Sequence, residues 1–275
     1  MMSELIVDRE KCNICGMCVL ECPATIIQLA EPGPFPCWVE GGEEMCILCG
    51  HCVGVCPLGA IELDTMKLQD CPPVNRADLP SAEQVELFIR SRRSIRAYKD
   101  QRVPNEVLAK LIDITRHAPS GSNSQSVQWL VIEDPAEVKR LSGLVVDWMR
   151  SMLAGLPATP DSYRLDRIAE AWDAGIDVVM RDAPHLIVAH APAEDVMAQS
   201  SATIALTTLE LAAYSQGLGT CWAGFFYMAA MMHPPMMEAL QLPEGNAVLG
   251  GMMLGYPKHK FSRVPVRNEA KVIWR

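Results

Sequence analysis

The sequence predicts an α+β protein in two unequal parts, a small cysteine-rich module followed by a larger domain that mixes helices with a sheet. Three observations predict it. Ten of the eleven cysteines fall within the first 71 of 275 residues, and only Cys221 lies beyond them. Charge divides at the same place. Residues 1–75 hold eleven acidic side chains against Arg9, Lys11 and Lys67, a net of −8, which leaves −1 for the rest of a chain whose total is −9. After the cysteines, some stretches carry apolar residues at helical spacing and others are short, unbroken apolar runs of strand length.

The cysteine module comes first. Shifting the sequence by 34 positions superimposes Cys12, Cys15, Cys18 and Cys22 on Cys46, Cys49, Cys52 and Cys56, and Pro23 on Pro57. Each run reads C-x2-C-x2-C-x3-C-P. Closely spaced cysteines in a chain without a secretory leader argue for metal rather than disulfides. The spacing resembles that of bacterial two-cluster ferredoxins, in which the fourth cysteine of each run ligates the other cluster. That resemblance implies one [4Fe–4S] cluster on Cys12, Cys15, Cys18 and Cys56 and a second on Cys46, Cys49, Cys52 and Cys22. The alternative is a pair of structural zinc sites, since C-x2-C also suits tetrahedral zinc. Cys37, Cys71 and Cys221 fit neither run and are expected as free buried thiols. His51 falls inside a run whose four ligand positions are already cysteine, so it is not expected to bind metal.

The module is expected over residues 1–71, a linker over 72–80 and the larger domain over 81–275. Cys71-Pro72-Pro73 and Pro80 mark the linker, because closely spaced prolines disfavour both helix and internal strand. Residues 81–92, 105–117, 138–153 and 165–180 read as helices. Residues 127–133, 185–190 and 247–255 read as strands. Residues 203–214 form a nearly uncharged helical run, expected to be buried, that ends at Gly217-Leu218-Gly219, where glycine suits the position just past a helix. No Gly-x-Gly-x-x-Gly follows a strand, so a Rossmann dinucleotide site is not predicted.

A second cluster of chemistry lies at Arg92-Arg93-Ser94-Ile95-Arg96. Three guanidiniums and a hydroxyl within five residues make a phosphate-sized donor set. A solvated basic helix end gives the same local pattern. The wider sequence separates the two. An Ala118-Pro119-Ser120-Gly121-Ser122-Asn123-Ser124-Gln125 loop follows, then a Gly217-Leu218-Gly219-Thr220-Cys221-Trp222 turn and a closing Gly255-Tyr256-Pro257. With the arginine start, these motifs over about residues 84–267 resemble the nitroreductase family of FMN enzymes.

The resemblance implies an α+β homodimer with FMN at the subunit interface. Arg92, Arg93, Ser94, Arg96 and Arg263 would hold its phosphate and ribityl chain. Pro119, Ser120, Gly121 and Asn123 would reach it from the partner chain, and Ala223 and Gly224 would lay backbone N–H groups beside the ring's N5 and O4 edge. The sequence departs from the family where Gln125 precedes Ser126-Val127 instead of Pro-Trp, and where Phe261 stands in place of a lysine. Phosphate neutralisation then leans on Arg92–Arg96. The methionines at 228, 231, 232, 236 and 237 are expected as packing or as a pocket wall. His117, His185 and His233 are expected to be structural.

Two one-electron clusters in one chain with a two-electron flavin suggest an oxidoreductase that passes electrons between the clusters and a small organic acceptor, a nitro, quinone or enone-like compound. An electron-carrier protein such as a ferredoxin is the expected partner, and no covalent nucleophile is required of the protein. The competing readings are a dehydrogenase that exports electrons through the clusters and a non-catalytic electron-transfer or redox-sensing module. The acidic front end and the lack of a Lys/Arg-rich run argue against nucleic acid. The absence of an 18-residue uncharged apolar run argues against a membrane span, and a cytoplasmic protein is expected.

Overall fold

The structure, a computed structural model, describes residues 3–29, 33–153 and 160–275, and the chain divides into two compact units. The smaller comprises residues 1–80 together with Ser122–Ser124, and the larger the remainder. Among the described residues no helix is long and apolar enough to cross a membrane.

In the smaller unit the sequence repeat becomes a backbone repeat. In chain order come β1 (Leu5–Val7), α1 (Met17–Leu20), β2 (Ile27–Leu29), β3 (Pro36–Trp38), α2 (Gly42–Met45), α3 (His51–Val55) and β4 (Ile61–Leu63). β1 pairs with β4 and β2 with β3, both antiparallel, so each half of the repeat lends a strand to the other. Left-handed backbone recurs at the same offset of 34: Ile14 and Leu48, Gly16 and Gly50, Thr25 and Gly59 all have positive φ. Ile26, Ile27, Val53, Ile61 and Leu63 form a small core that also takes in Cys18 and Cys52. Residues 72–80 include a single 3₁₀ turn, Arg76–Asp78, capped by the Asn75 side chain.

The larger unit is built on one four-stranded antiparallel sheet in the order β5 (Gln128–Ile132), β6 (His185–Pro192), β8 (Asn246–Gly255), β7 (Gly219–Trp222). Both faces are covered. Leu186 and Val188 point into a core shared with α6 (Pro135–Leu153), α7 (Pro160–Asp173), α9 (Gly224–Met232) and α10 (Pro234–Leu240). Ile187 and Ala189 point the other way, toward α5 (Asn105–Thr115) and α8 (Ala198–Ser215). Burial on both sides explains why β6 reads as an unbroken apolar run instead of an alternating one. α4 (Ala82–Ser91) starts at a capping box in which Ser81 and Gln84 bond each other's backbone N–H.

Helix ends explain the differences from expectation. α7 stops at Asp173, not at 180, because Gly175 (φ +82°) closes a Schellman motif: Gly175 N–H donates to the Trp172 carbonyl and Ile176 N–H to that of Ala171. Gly217 (φ +73°) ends α8 in the same way, through Gly217 N–H to Tyr214 and Leu218 N–H to Ala213. α8 is buried on one face only. Ala202, Leu206, Leu209 and Ala213 are buried, whereas Thr203, Ile204 and Thr207 are exposed. Cys221 is buried as expected, but Cys37 and Cys71 are only half-buried.

Gly219 opens β7 directly beneath Ile95. A Cβ there would lie 2.3 Å from Ile95 Cγ1 and 3.0 Å from Pro257 Cγ. Gly219→Ala is therefore expected to overpack this seam and cost about 1–3 kcal/mol, read as a lower urea midpoint for the larger unit. A midpoint equal to that of the parent protein would show that Ile95 moves aside freely.

Candidate functional site

The eight cysteines of the repeat sit on the turns that the left-handed residues create. Gly16 and Gly50 precede α1 and α3, and their positive φ turns the chain back at the start of each helix. Cys52 is buried, and desolvation, followed by the neighbouring thiols of Cys49, Cys46 and Cys22, pushes its pKa up to about 11. Cys22 comes from the other run. Cys18 is likewise raised, first by burial, with Cys12 and Cys15 as its thiol neighbours. Ala60 N–H donates to Cys56 Sγ at 3.2 Å. All eleven cysteines are free, and among the described residues no three His, Cys, Asp or Glu side chains close on a single-ion position. His51 is exposed.

In the larger unit the arginine segment is fixed by backbone. Ile95 N–H donates to the Thr220 carbonyl at 2.8 Å, and the Tyr98 hydroxyl donates to the Ile95 carbonyl at 2.9 Å. Ile95 faces the core and Arg96 faces outward. Arg96, Arg164, Arg181, Cys221, Trp222 and Gly224 thereby share one cavity of about 380 Å³, whose remaining wall is apolar. Burial raises the Cys221 thiol while Arg96 and Arg181 pull it down. Tyr98 is pushed up by burial in the same neighbourhood. Gly224 is the first residue of α9, so its N–H has no partner within the helix, and a Cβ there would meet nothing within 4 Å.

The expected flavin residues divide among several places. Arg96 and Gly224 lie in the cavity just described. Ala223 does not offer its amide: it is buried and its N–H already donates to the Gly251 carbonyl at 2.8 Å. Arg92 is half-buried and held by Glu210 at 2.8 Å. Arg93 turns one Nη to the Arg90 carbonyl at 3.5 Å and leaves a buried Nε without a hydrogen-bond partner. Both arginines border a second cavity of about 440 Å³ with Val264–Arg267, and Arg263 immediately precedes that segment. Ser94 reaches Cys221. Pro119 and Ser120 line a third, small cavity with Ser201, whose Oγ accepts from Gly121 N–H. Asn123 belongs to the smaller unit and donates to the carbonyls of Ile47 and Leu48 at 3.0 and 3.1 Å, so its amide is engaged there rather than aimed at a flavin.

Sequence reasoning missed Arg164, Arg181 and Glu210. Glu210 carried a signal, as the one charged residue in the 203–214 run. Arg181 carried none, because its position depends on a turn. The Asp177 carboxylate, wholly buried, accepts from Ser142 Oγ at 2.8 Å and from the N–H groups of Val179 and Met180 at 3.0 and 2.8 Å. The turn then runs through Arg181 (φ 60°) and Asp182 (φ 48°), two consecutive left-handed residues that are not glycine. Such conformations cost about 1–3 kcal/mol each and cluster where function needs them. Of the three histidines expected to be structural, buried His185 accepts from Val103 N–H at 2.8 Å, and burial lowers its pKa, whereas His117 is exposed. Met228 lines the arginine cavity, Met236 is core, and Met231 and Met232 are exposed.

Comparison with known proteins follows this division. The nitroreductase family model matches residues 89–256, and the model for a 4Fe-4S dicluster domain matches residues 11–61. The chain belongs to the nitroreductase family of oxidoreductases and carries a ferredoxin-type domain at its N-terminal end. A nitrobenzene nitroreductase from Ectopseudomonas oleovorans is 28% identical over 208 residues, 65% of this chain and 88% of that protein. An FMN reductase (NAD(P)H) from Bacillus subtilis is 29% identical over 177 residues, 63% of this chain and 66% of that protein. The larger unit's fold is shared with a nitroreductase with bound FMN from Bacteroides fragilis at a TM-score of 0.58 and 21% identity, over 70% of this chain and 99% of that one.

The turn gives a prediction. Asp177→Ala strands the donors of Ser142, Val179 and Met180 and is expected to cost at least about 1–3 kcal/mol. Urea unfolding measures it, and Asp177→Asn, which keeps an acceptor oxygen, is expected to cost less.

Proposed function

We propose that this chain is an FMN- and iron–sulfur-dependent oxidoreductase that passes electrons between two [4Fe–4S] clusters and a small organic acceptor, a nitro, quinone or enone-like compound, by way of the flavin. One observation carries the reading: a cavity at the end of β7 combines the guanidinium of Arg96, the helix-starting N–H of Gly224 and an apolar wall, in a chain that also bears a doubled four-cysteine run. Bound FMN would supply the exchange between single electrons and hydride transfer, chemistry that protein side chains lack.

The chain's own residues would bind and orient. Arg93, with a buried Nε lacking a partner, Ser94 and the neighbouring Arg92 fit a phosphate, as does Arg263 next to the segment that borders them. Arg96 and Gly224 N–H fit the polar edge of a flat ring, and a glycine there lets the backbone approach closely. Pro119 and Ser120 line a different cavity in the same chain, and Gly121 bonds Ser201 on its wall, which supports their serving the site of a second copy in a homodimer. The exposed stripe Thr203, Ile204 and Thr207 on α8 supports the same assembly. In the cysteine module, the approach of Cys22 to Cys46, Cys49 and Cys52 supports one cluster on those four and another on Cys12, Cys15, Cys18 and Cys56. Eight soft thiol ligands suit iron–sulfur clusters.

Protein purified without oxygen is expected to hold eight irons and one FMN per chain. Near-stoichiometric zinc in place of iron would refute the cluster assignment. Cys18→Ala should remove one cluster and slow flavin reduction by a reduced ferredoxin, while chemically reduced protein still turns over a nitroaromatic. Arg96→Ala should weaken FMN binding by about 1.5–3 kcal/mol, roughly tenfold to more than a hundredfold; unchanged flavin retention through gel filtration sinks that role. Light scattering on the flavin-loaded protein should give the mass of two chains. Ala212→Glu on α8 should lower both that mass and the flavin content, because a carboxylate desolvated at such an interface is costly.

A further inference from the structure

We propose that the acceptor taken at the β7 cavity is a small carboxylate-bearing molecule, an unsaturated or aromatic acid, anchored by Arg164 and Arg181. The proposal rests on the flavin reading above and names the substrate class of that site. It starts from a surplus of positive charge. Of the three arginines in the cavity, Arg96 is accounted for by the cofactor, and Arg92 and Arg93 of the phosphate-sized donor set border a separate cavity, while Ser94 reaches Cys221. Arg164 and Arg181 remain. No acidic side chain lines the cavity, and neither arginine makes an ion pair among the described residues.

Two described acids on the same segments are engaged elsewhere. Asp182, next to Arg181 in sequence, is drawn off by Lys139 Nζ at 2.8 Å. Asp173, at the end of the helix that carries Arg164, is held by Arg150. The Arg164 guanidinium lies over the Phe225 ring with its carbon 5.6 Å from the centroid, a cation–π contact that leaves its N–H groups able to donate. Arg181 is delivered by the left-handed turn that buried Asp177 holds. Two guanidiniums without a counter-ion among the described residues form an anion site, and their forked donors match a planar carboxylate in particular. The rest of the wall, Val178, Val179, Trp222, Phe225, Met228 and Met253, is apolar and suits a ring or chain instead of a sugar or a nucleotide.

The test uses the flavin-loaded protein and two readouts. Benzoate, which cannot be reduced, is titrated against the oxidised protein by calorimetry, with benzyl alcohol as its neutral counterpart. Protein reduced by dithionite is then mixed without oxygen with 4-nitrobenzoate, 4-nitrobenzyl alcohol or 4-nitrophenyl phosphate, and reoxidation is followed against concentration. Benzoate is expected to bind at least tenfold tighter than benzyl alcohol, and half-saturation for 4-nitrobenzoate to fall at least tenfold below that for the alcohol. Arg164→Gln and Arg181→Gln should each shrink both ratios several-fold or more, and Arg164→Lys should restore part of the ratio because it returns charge without the fork. Equal affinity for acid and alcohol, or preference for the phosphate ester, overturns the proposal. So does loss of flavin from either glutamine variant, which would assign that arginine to the cofactor. Failure of the parent protein to retain any flavin would instead strike the reading beneath it, and benzoate calorimetry on the flavin-free chain would still decide whether the two arginines bind a carboxylate.

Discussion

The larger unit's chemistry depends on one backbone seam, the bond from Ile95 N–H to the Thr220 carbonyl. Without it Arg92–Arg96 would be a basic tail leaving the end of α4. With it, the segment lies along β7 in extended alternation, so that Ile95 fills the space over Gly219 and Arg96 faces the solvent side, beside Cys221 and Gly224. The seam is reinforced on both sides of the segment. Lys99 N–H donates to the Tyr256 carbonyl and Lys258 N–H to that of Ala97, which ties the same stretch to the chain that leaves β8. Backbone bonds buried in this way do not depend on salt, unlike the charges they position.

Charge placement in the larger unit is selective. Three acids of these elements are committed elsewhere: Glu210 to Arg92, Asp182 to Lys139, Asp173 to Arg150. The Arg92–Glu210 pair is only partly exposed and receives a weak further bond from Thr220 Oγ1 at 3.4 Å. An anion arriving near Arg92 would compete with Glu210 for that guanidinium, whereas at Arg96, Arg164 and Arg181 it meets no such competitor among the described residues. The positive field is therefore concentrated at the end of β7, although the chain as a whole is acidic.

Much of this was legible in the sequence. Cysteine spacing and its 34-residue repeat are chemical signals that survive any context, and the apolar runs of β6 and β8 marked them as strands. Helix ends were less legible. The helical pattern of 165–180 continues past Gly175, and only the bonds of Gly175 and Ile176 show the stop. Ala223 and Gly224 look equivalent in sequence, yet one amide belongs to the sheet through Gly251 and the other is free because a helix begins there. Arg181 was illegible for a different reason. Its side chain is aimed by a turn whose cause is the buried carboxylate of Asp177, which one-dimensional patterns do not reveal.

The exchange of strands in the smaller unit bears on how that unit comes into being. β1 waits for β4, and Leu5 finds its partner only when Leu63 has been made. A ribosome must therefore release nearly the whole module before its first strand can be paired, and every nascent chain passes through a stage in which one complete cysteine run is present with no second run to close it. Non-local closure of this kind is slow compared with local helix formation. The first cysteine run is thus made well before the strand that completes its fold.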